Sequence, residues 1–208
     1  MKNKKGFTLV EMLVVVGIIA VLSGAALSAF RGAIKKAQAA RAVELVSNVK
    51  TALEVVLQKN DSWPQALLNE GAGGSGEMTP EVGASLARRG ALSLTYKKVE
   101  DKNTGEMTYQ LVGLDQCGIV TPWATDVIKR KAGGGSIPLT TKVPSGGTIK
   151  DHRLRFAIDA DYDGKTDVSI EGGSAARVRA SAAVWCCGYD GKFGTKDDIK
   201  SWAKGQEE

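Results

Sequence analysis

Apolar positions are spread unevenly along this chain. Residues 7–30 form one continuous apolar run with a single acid, Glu11, and no lysine or arginine. A helix of about 23 such residues, rising ~1.5 Å per residue, is long enough to cross a bilayer core of ~30 Å. From residue 31 to 60 the pattern changes. There is no proline, the only glycine is Gly32, and Val43, Val46, Val49, Leu53, Val56 and Leu57 recur at helical spacing. Lys35, Lys36, Arg41, Lys50 and Lys59 are interspersed on other faces, which predicts an amphipathic helix continuing the apolar one. The organisation predicted is a short leader (1–6), an apolar helix (7–30), an amphipathic helix (31–61) and a globular head (62–208).

The head is punctuated differently. Pro64 ends the helix, and the glycine-rich stretch 69–76 predicts a loop. A short helix is expected over 80–89. Residues 92–96 and 107–111 alternate as two strands around the turn-forming stretch 101–105. Residues 133–147 predict a surface loop, and 153–158, 168–170 and 182–185 predict further strands. Strands grouped after one long helix imply an α+β fold, an antiparallel sheet packed on that helix.

Charge and cysteines narrow the function classes. The formal charge is +5, but three of the positives are Lys2, Lys4 and Lys5; without them the chain carries +2. No lysine and arginine run interleaved with aromatics remains, so the footprint of a nucleic-acid binder is weak. Cys117, Cys186 and Cys187 form no CxxC pair, and His152 is the single histidine, which argues against a zinc site. In an exported domain one disulfide is expected, Cys117 with Cys186 or Cys187; the alternative is three small buried side chains. GxSxG, P-loop and HExxH patterns are absent, so an enzyme is not expected. A nucleophilic pair of Cys117 or Cys186 with His152 is conceivable, but a lone histidine is more often structural.

The basic hexapeptide and the run behind it look like a signal peptide but depart from one: the run exceeds the usual ~7–15 residues and no Ala-x-Ala-like site follows. The basic flank predicts that residues 1–6 stay cytoplasmic and the rest is exported. Glu11 is the anomaly. It either sits near the headgroups, or is functional, as ionisable groups in membranes usually are.

Gly6-Phe7-Thr8-Leu9-Val10-Glu11, behind a basic leader and ahead of about 20 apolar residues, resembles the processing site of type IV prepilins and type II secretion pseudopilins. The resemblance implies cleavage after Gly6 by prepilin peptidase, N-methylation of Phe7, and assembly through the helix at an inner-membrane platform. Glycine at the cut lets extended backbone enter an active site without a side-chain clash. Glu11 then has a partner, the α-amino group of Phe7 on a neighbouring subunit, a pairing that sets register rather than adding stability. The partners implied are copies of this chain, other pilins, and the membrane before assembly. The location implied is the inner membrane with the head in the periplasm, then a periplasmic or surface filament.

Two acidic loops complete the reading. Asp159, Asp161 and Asp163 alternate, with Gly164 sixth and Asp167 beyond, like the opening of an EF-hand loop. The twelfth position is Ile170 rather than glutamate, so calcium there competes with a solvated turn. Residues 188–202 are similar to the C-terminal calcium loop of major pseudopilins, with Asp190 and Asp198 at that family's acidic positions and Asp197 where its pattern varies. Calcium would be structural in either loop. Three readings compete: a surface-pilus subunit, a secretion-pseudopilus subunit, and a monomeric membrane-anchored calcium-binding domain that keeps residues 1–6.

Overall fold

A computed structural model describes residues 8–88, 96–100, 107–111, 117–131, 137–173, 175–203 and 205–206. Helix α1 runs Leu9–Asn60, so the two predicted helices are one element, as the absence of proline requires. The chain divides into two compact units, Met1–Gln38 and Ala39–Glu208. The second begins inside α1, because Ala42, Val46, Val49, Leu53 and Val56 are buried in the head's core. The head's core thus takes up the helix well before residue 62.

Four strands form the main antiparallel sheet, in the order β1 (Gly76–Glu77), β4 (Arg155–Ile158), β7 (Ala182–Cys186) and β8 (Ile199–Lys200). Two hairpins accompany it, β2 (Tyr96–Glu100) with β3 (Met107–Leu111), and β5 (Thr166–Ser169) with β6 (Ala175–Val178). Short helices α2 (Gln65–Gly71), α3 (Pro80–Arg88) and α4 (Pro122–Lys131) fill the connections. The fold is α+β with antiparallel sheets beside a long N-terminal helix, as predicted.

The central strands are buried on both faces, and the period of two decides which residue goes where. Phe156, Ile158, Ala182, Val184 and Cys186 join the core that contains the α1 residues. Ala157, Ala183 and Trp185 face the other way, into a second cluster with Val168, Ile170, Val178 and Trp202. Trp185 and Trp202 meet edge to face at 5.9 Å. Phe156 lies against backbone, since a Cβ on Gly71 would come within 2.5 Å of its ring and one on Gly76 within 3.0 Å.

Several elements differ from expectation. Pro64 ends α1 but also begins α2, because its fixed φ suits a helix start. Helix α4 was not predicted, although Thr121-Pro122 is the same kind of signal. Strand β6 was missed because its small residues lack the β-branched signature, and β8 because it has two residues. Strand β2 begins at Tyr96, where the predicted strand ended; most of that predicted strand, the turn at 101–105 and part of the loop at 133–147 lie outside the described residues.

Candidate functional site: an apolar helix and two acidic loops

From Leu9 to Leu22, helix α1 presents apolar side chains on every side. Leu9, Val10, Met12, Leu13, Val14, Val15, Val16, Ile18, Ile19, Val21 and Leu22 are all exposed, from 48% for Val15 to 80% for Leu9. Consecutive positions cover every side of a 3.6-residue turn, so no rotation of the helix buries them on one neighbour. Among the described residues no helix is long and apolar enough to cross a membrane. The described side chains of the run stop at Gly24 and resume at Phe30.

The helix begins with a capping box. Thr8 N–H and Thr8 Oγ1 both donate to Glu11 Oε2 at 2.8 Å, and Glu11 N–H lies 3.3 Å from Thr8 Oγ1. Threonine three residues before glutamate is a sequence-level sign of a helix start. Glu11 is therefore more than a charge in an apolar run, and the Thr8–Glu11 spacing was the local signal for it. Gly6 and Phe7 lie outside the described residues.

In the head, the 159–167 loop gathers three of its four candidate ligands. Carboxylate oxygens of Asp159, Asp161 and Asp163 lie within 4.8 Å of one another. Asp159 is 5% exposed and accepts from the N–H groups of Asp163 (3.2 Å) and Gly164 (2.8 Å). Burial pushes its carboxyl above the usual range, and a hydrogen bond with Asp161 adds to that, against the lowering by the Gly164 and Asp163 N–H groups. Asp167 is turned elsewhere: Arg177 holds it at 3.4 Å and holds Asp163 at 2.5 Å. The loop is fastened beside the end of α1. Trp63 N–H donates to Tyr162 Oη (2.9 Å) and Trp63 Nε1–H to Asp159 O (2.7 Å). Neither Trp63 nor Arg177 was singled out from sequence: Trp63 lies 99 residues from Tyr162 and 96 from Asp159, and Arg177 reaches Asp163, 14 residues away, only through the β5–β6 pairing.

The second loop is organised differently. Asp197 Oδ1 accepts from Thr195 Oγ1 at 2.6 Å, Asp198 Oδ2 from Gly194 N–H at 2.7 Å, and Asp190 Oδ1 from Lys192 N–H at 2.9 Å. Burial pushes Asp197 up, but Thr195 and backbone N–H groups hold it below the usual carboxylate range; Asp198 is raised, chiefly by burial. Gly188 is required here: a Cβ would lie 2.1 Å from Asp197 Cγ. Among the described residues, Asp159, Asp161 and Asp163 make the one group of three arranged as metal ligands, so Asp190, Asp197 and Asp198 are not gathered in that way.

No disulfide joins Cys117, Cys186 and Cys187; all three are buried, which corrects the expected bridge. Alternation along the strand sends Cys186 into the main core, whereas Cys187 meets His152 at 3.3 Å. The cysteine beside His152 is therefore Cys187, not Cys117 or Cys186. Burial pushes the Cys186 thiol up to about 12 and raises Cys187 too, so neither is a poised thiolate.

From Leu9 to Leu22 the chain is thus a helix capped at its start, with apolar side chains exposed on every side. The family described as "Prokaryotic N-terminal methylation motif" matches residues 1–27. The type IV major fimbrial protein FimA of Dichelobacter nodosus is 30% identical over 48% of this chain and 62% of its own. Prepilin peptidase-dependent protein D of Escherichia coli K12 is 29% identical over 59% and 82%, and the type IV major pilin protein PilE1 of Neisseria gonorrhoeae 32% over 30% and 38%. The match spans less than two thirds of the length of the fimbrial relatives. No solved structure gives a significant match. The motif and these relatives support the type IV pilin and pseudopilin family, and the relatives bear the names of structural subunits rather than enzymes.

Proposed function

We propose that the chain is a subunit of a pilus-like filament. It is inserted in the inner membrane with residues 1–6 on the cytoplasmic side, cut after Gly6 by prepilin peptidase and N-methylated at Phe7. An inner-membrane platform then assembles it into a polymer with its own copies and other pilins. The observation that carries this reading is the exposure of apolar side chains on every side of the helix from Leu9 to Leu22. Such a surface needs lipid or neighbouring helices to cover it. Of the two filament types, the surface pilus is favoured by relatives that bear fimbrial and pilin names. The pseudopilus has its own support in the 188–202 loop, whose Gly188, Asp190, Asp198 and Trp202 follow the pseudopilin pattern.

The test is intact-mass analysis of sheared cell-surface material beside the cell-bound fraction. A chain beginning at Phe7 with one added methyl, abundant in sheared material, supports the surface pilus. The same chain confined to the envelope supports the pseudopilus. A chain that keeps residues 1–6 in both fractions sinks both and leaves the monomeric anchored domain.

We also propose a structural calcium ion held by Asp159, Asp161 and Asp163. The fit rests on three convergent carboxylates whose mutual repulsion a hard cation relieves, an oxygen-only donor set that suits calcium. When bound, the ion would tie the loop together; Trp63 and Tyr162 already position that loop beside the end of α1. Asp161→Asn with Asp163→Asn is expected to weaken calcium binding at least ~10-fold in calorimetry, as the charge of the ligand set tunes affinity. Unchanged affinity in that variant would move the ion elsewhere or dismiss it.

A further inference from the structure

Between Glu11 and Glu44 the chain has no acid, and its only charged residues are Arg31, Lys35, Lys36 and Arg41. They begin directly after Phe30, where the apolar run ends. Lys35, Lys36 and Arg41 are all exposed on α1. The residues among them are mostly small: Gly32, Ala33, Ala37, Ala39 and Ala40. So little bulk beside them leaves the long basic side chains room to lay their stems along the helix and carry their charges outward.

Helical pitch sets the directions of the three exposed bases. At 3.6 residues per turn each residue is rotated by about 100° from the last, so positions 35, 36 and 41 stand about 100°, 140° and 120° apart. The bases therefore ring the helix instead of lining one face. A single neighbouring protein surface meets one or two of them, whereas a layer that surrounds the helix meets all three.

Their depth fits such a layer. Lys36 lies about 9 Å beyond Phe30 along a regular helix. The polar layer on each side of a hydrocarbon core is about 5–8 Å deep. With the apolar run in the core, Lys35 and Lys36 stand at the headgroups, where the flexible ends of their side chains reach phosphate.

Charge bias points to the same partner. The leader carries Lys2, Lys4 and Lys5, and the stretch 31–41 carries four bases. Lysine and arginine beside an apolar span favour the cytoplasmic side, so the second group opposes the orientation that the leader sets. An anionic surface on the exported side offsets that opposition. Resting on the membrane insertion proposed above, we infer that Arg31, Lys35, Lys36 and Arg41 form a basic collar that binds anionic phospholipid headgroups at the exported face of the membrane. The collar holds the subunit at a fixed depth before assembly. Once cleavage after Gly6 removes the leader lysines, it is the remaining basic flank of the span.

The experiment uses the full chain in phosphatidylcholine vesicles containing a trace of spin-labelled phosphatidylglycerol or spin-labelled phosphatidylcholine. Electron paramagnetic resonance reads the motionally restricted fraction of each label, which reports the lipids in contact with the protein. A base at an anionic surface favours it roughly 5-fold, so averaging over all contacting lipids gives an expected phosphatidylglycerol preference of at least ~2-fold. High salt is expected to reduce it. Two variants divide the preference between the membrane faces, and glutamine keeps helix propensity close to that of lysine and arginine. The combination Arg31→Gln, Lys35→Gln, Lys36→Gln and Arg41→Gln is expected to lose most of the preference. The leader combination Lys2→Gln, Lys4→Gln and Lys5→Gln is expected to keep most of it. Equal restriction of the two labels overturns the inference and leaves insertion standing, as does a preference lost in the leader variant but kept in the collar variant. No restricted component with either label means that the chain is not inserted, which overturns the membrane reading itself. A collar variant with unchanged lipid preference that no longer forms filaments assigns the bases to a neighbouring copy and also overturns the inference.

Discussion

Replacing Glu11 by alanine is expected to abolish filament assembly and to leave cleavage after Gly6 intact. Glu11 is the only charged side chain in residues 7–30, so it is the only one that can set axial register between apolar helices. Under the proposed assembly its counter-charge is the α-amino group that cleavage exposes on Phe7 of a neighbouring copy. Removing one partner leaves the other buried and uncompensated. The capping box supplies a competing account, since Glu11 also accepts from Thr8 N–H and Oγ1. Glu11→Gln separates the two. Glutamine still serves in a capping box but carries no charge. Loss of filaments in Glu11→Gln as well as Glu11→Ala, with mature mass unchanged, assigns the effect to charge. Filaments restored by glutamine assign it to the helix cap, and filaments from the alanine variant remove the residue from assembly altogether.

Phe156→Ala is expected to destabilise the head by ~3–5 kcal/mol, the range for truncating a buried phenylalanine. The ring is fully buried and lies on the backbone of Gly71 and Gly76, so it joins the end of α2 and strand β1 to β4. On the Gly71 and Gly76 side the ring meets backbone, which cannot collapse into the space left behind. Since domains of this kind are stable by only ~5–15 kcal/mol, a large share of the margin goes with one side chain. Urea unfolding of the full chain in detergent, followed by tryptophan fluorescence, reads the effect as a lower midpoint. An unchanged midpoint would mean that Phe156 does not bridge these elements in solution.

How far the site was legible in sequence differs from one end of the chain to the other. The apolar run, Glu11 and the prepilin-like hexapeptide are consecutive residues, and their meaning depends on neighbours in the chain. The capping box was equally local and could have been read from Thr8 and Glu11. The first acidic loop was half legible. The alternation of Asp159, Asp161 and Asp163 forecast convergence, but Asp167 was grouped with them although Arg177, across the β5–β6 hairpin, turns it away. In the second loop the aspartates were identified, but their capture by Thr195 and the Gly194 N–H was not. The expected disulfide failed for the same kind of reason: sequence spacing carries no information about which face of β7 a cysteine occupies relative to a distant one.

What the sequence by itself determined is the apolar character of the N-terminal helix, the α+β class and the resemblance to prepilins, because these rest on periodicity and contiguous motif. Only the tertiary structure decided which carboxylates meet, that Cys187 and not Cys186 lies beside His152, and that the head's core begins at Ala39 within α1. Those outcomes depend on side chains far apart in sequence. Burial, strand alternation and backbone contact choose among their possible pairings only once the chain has folded.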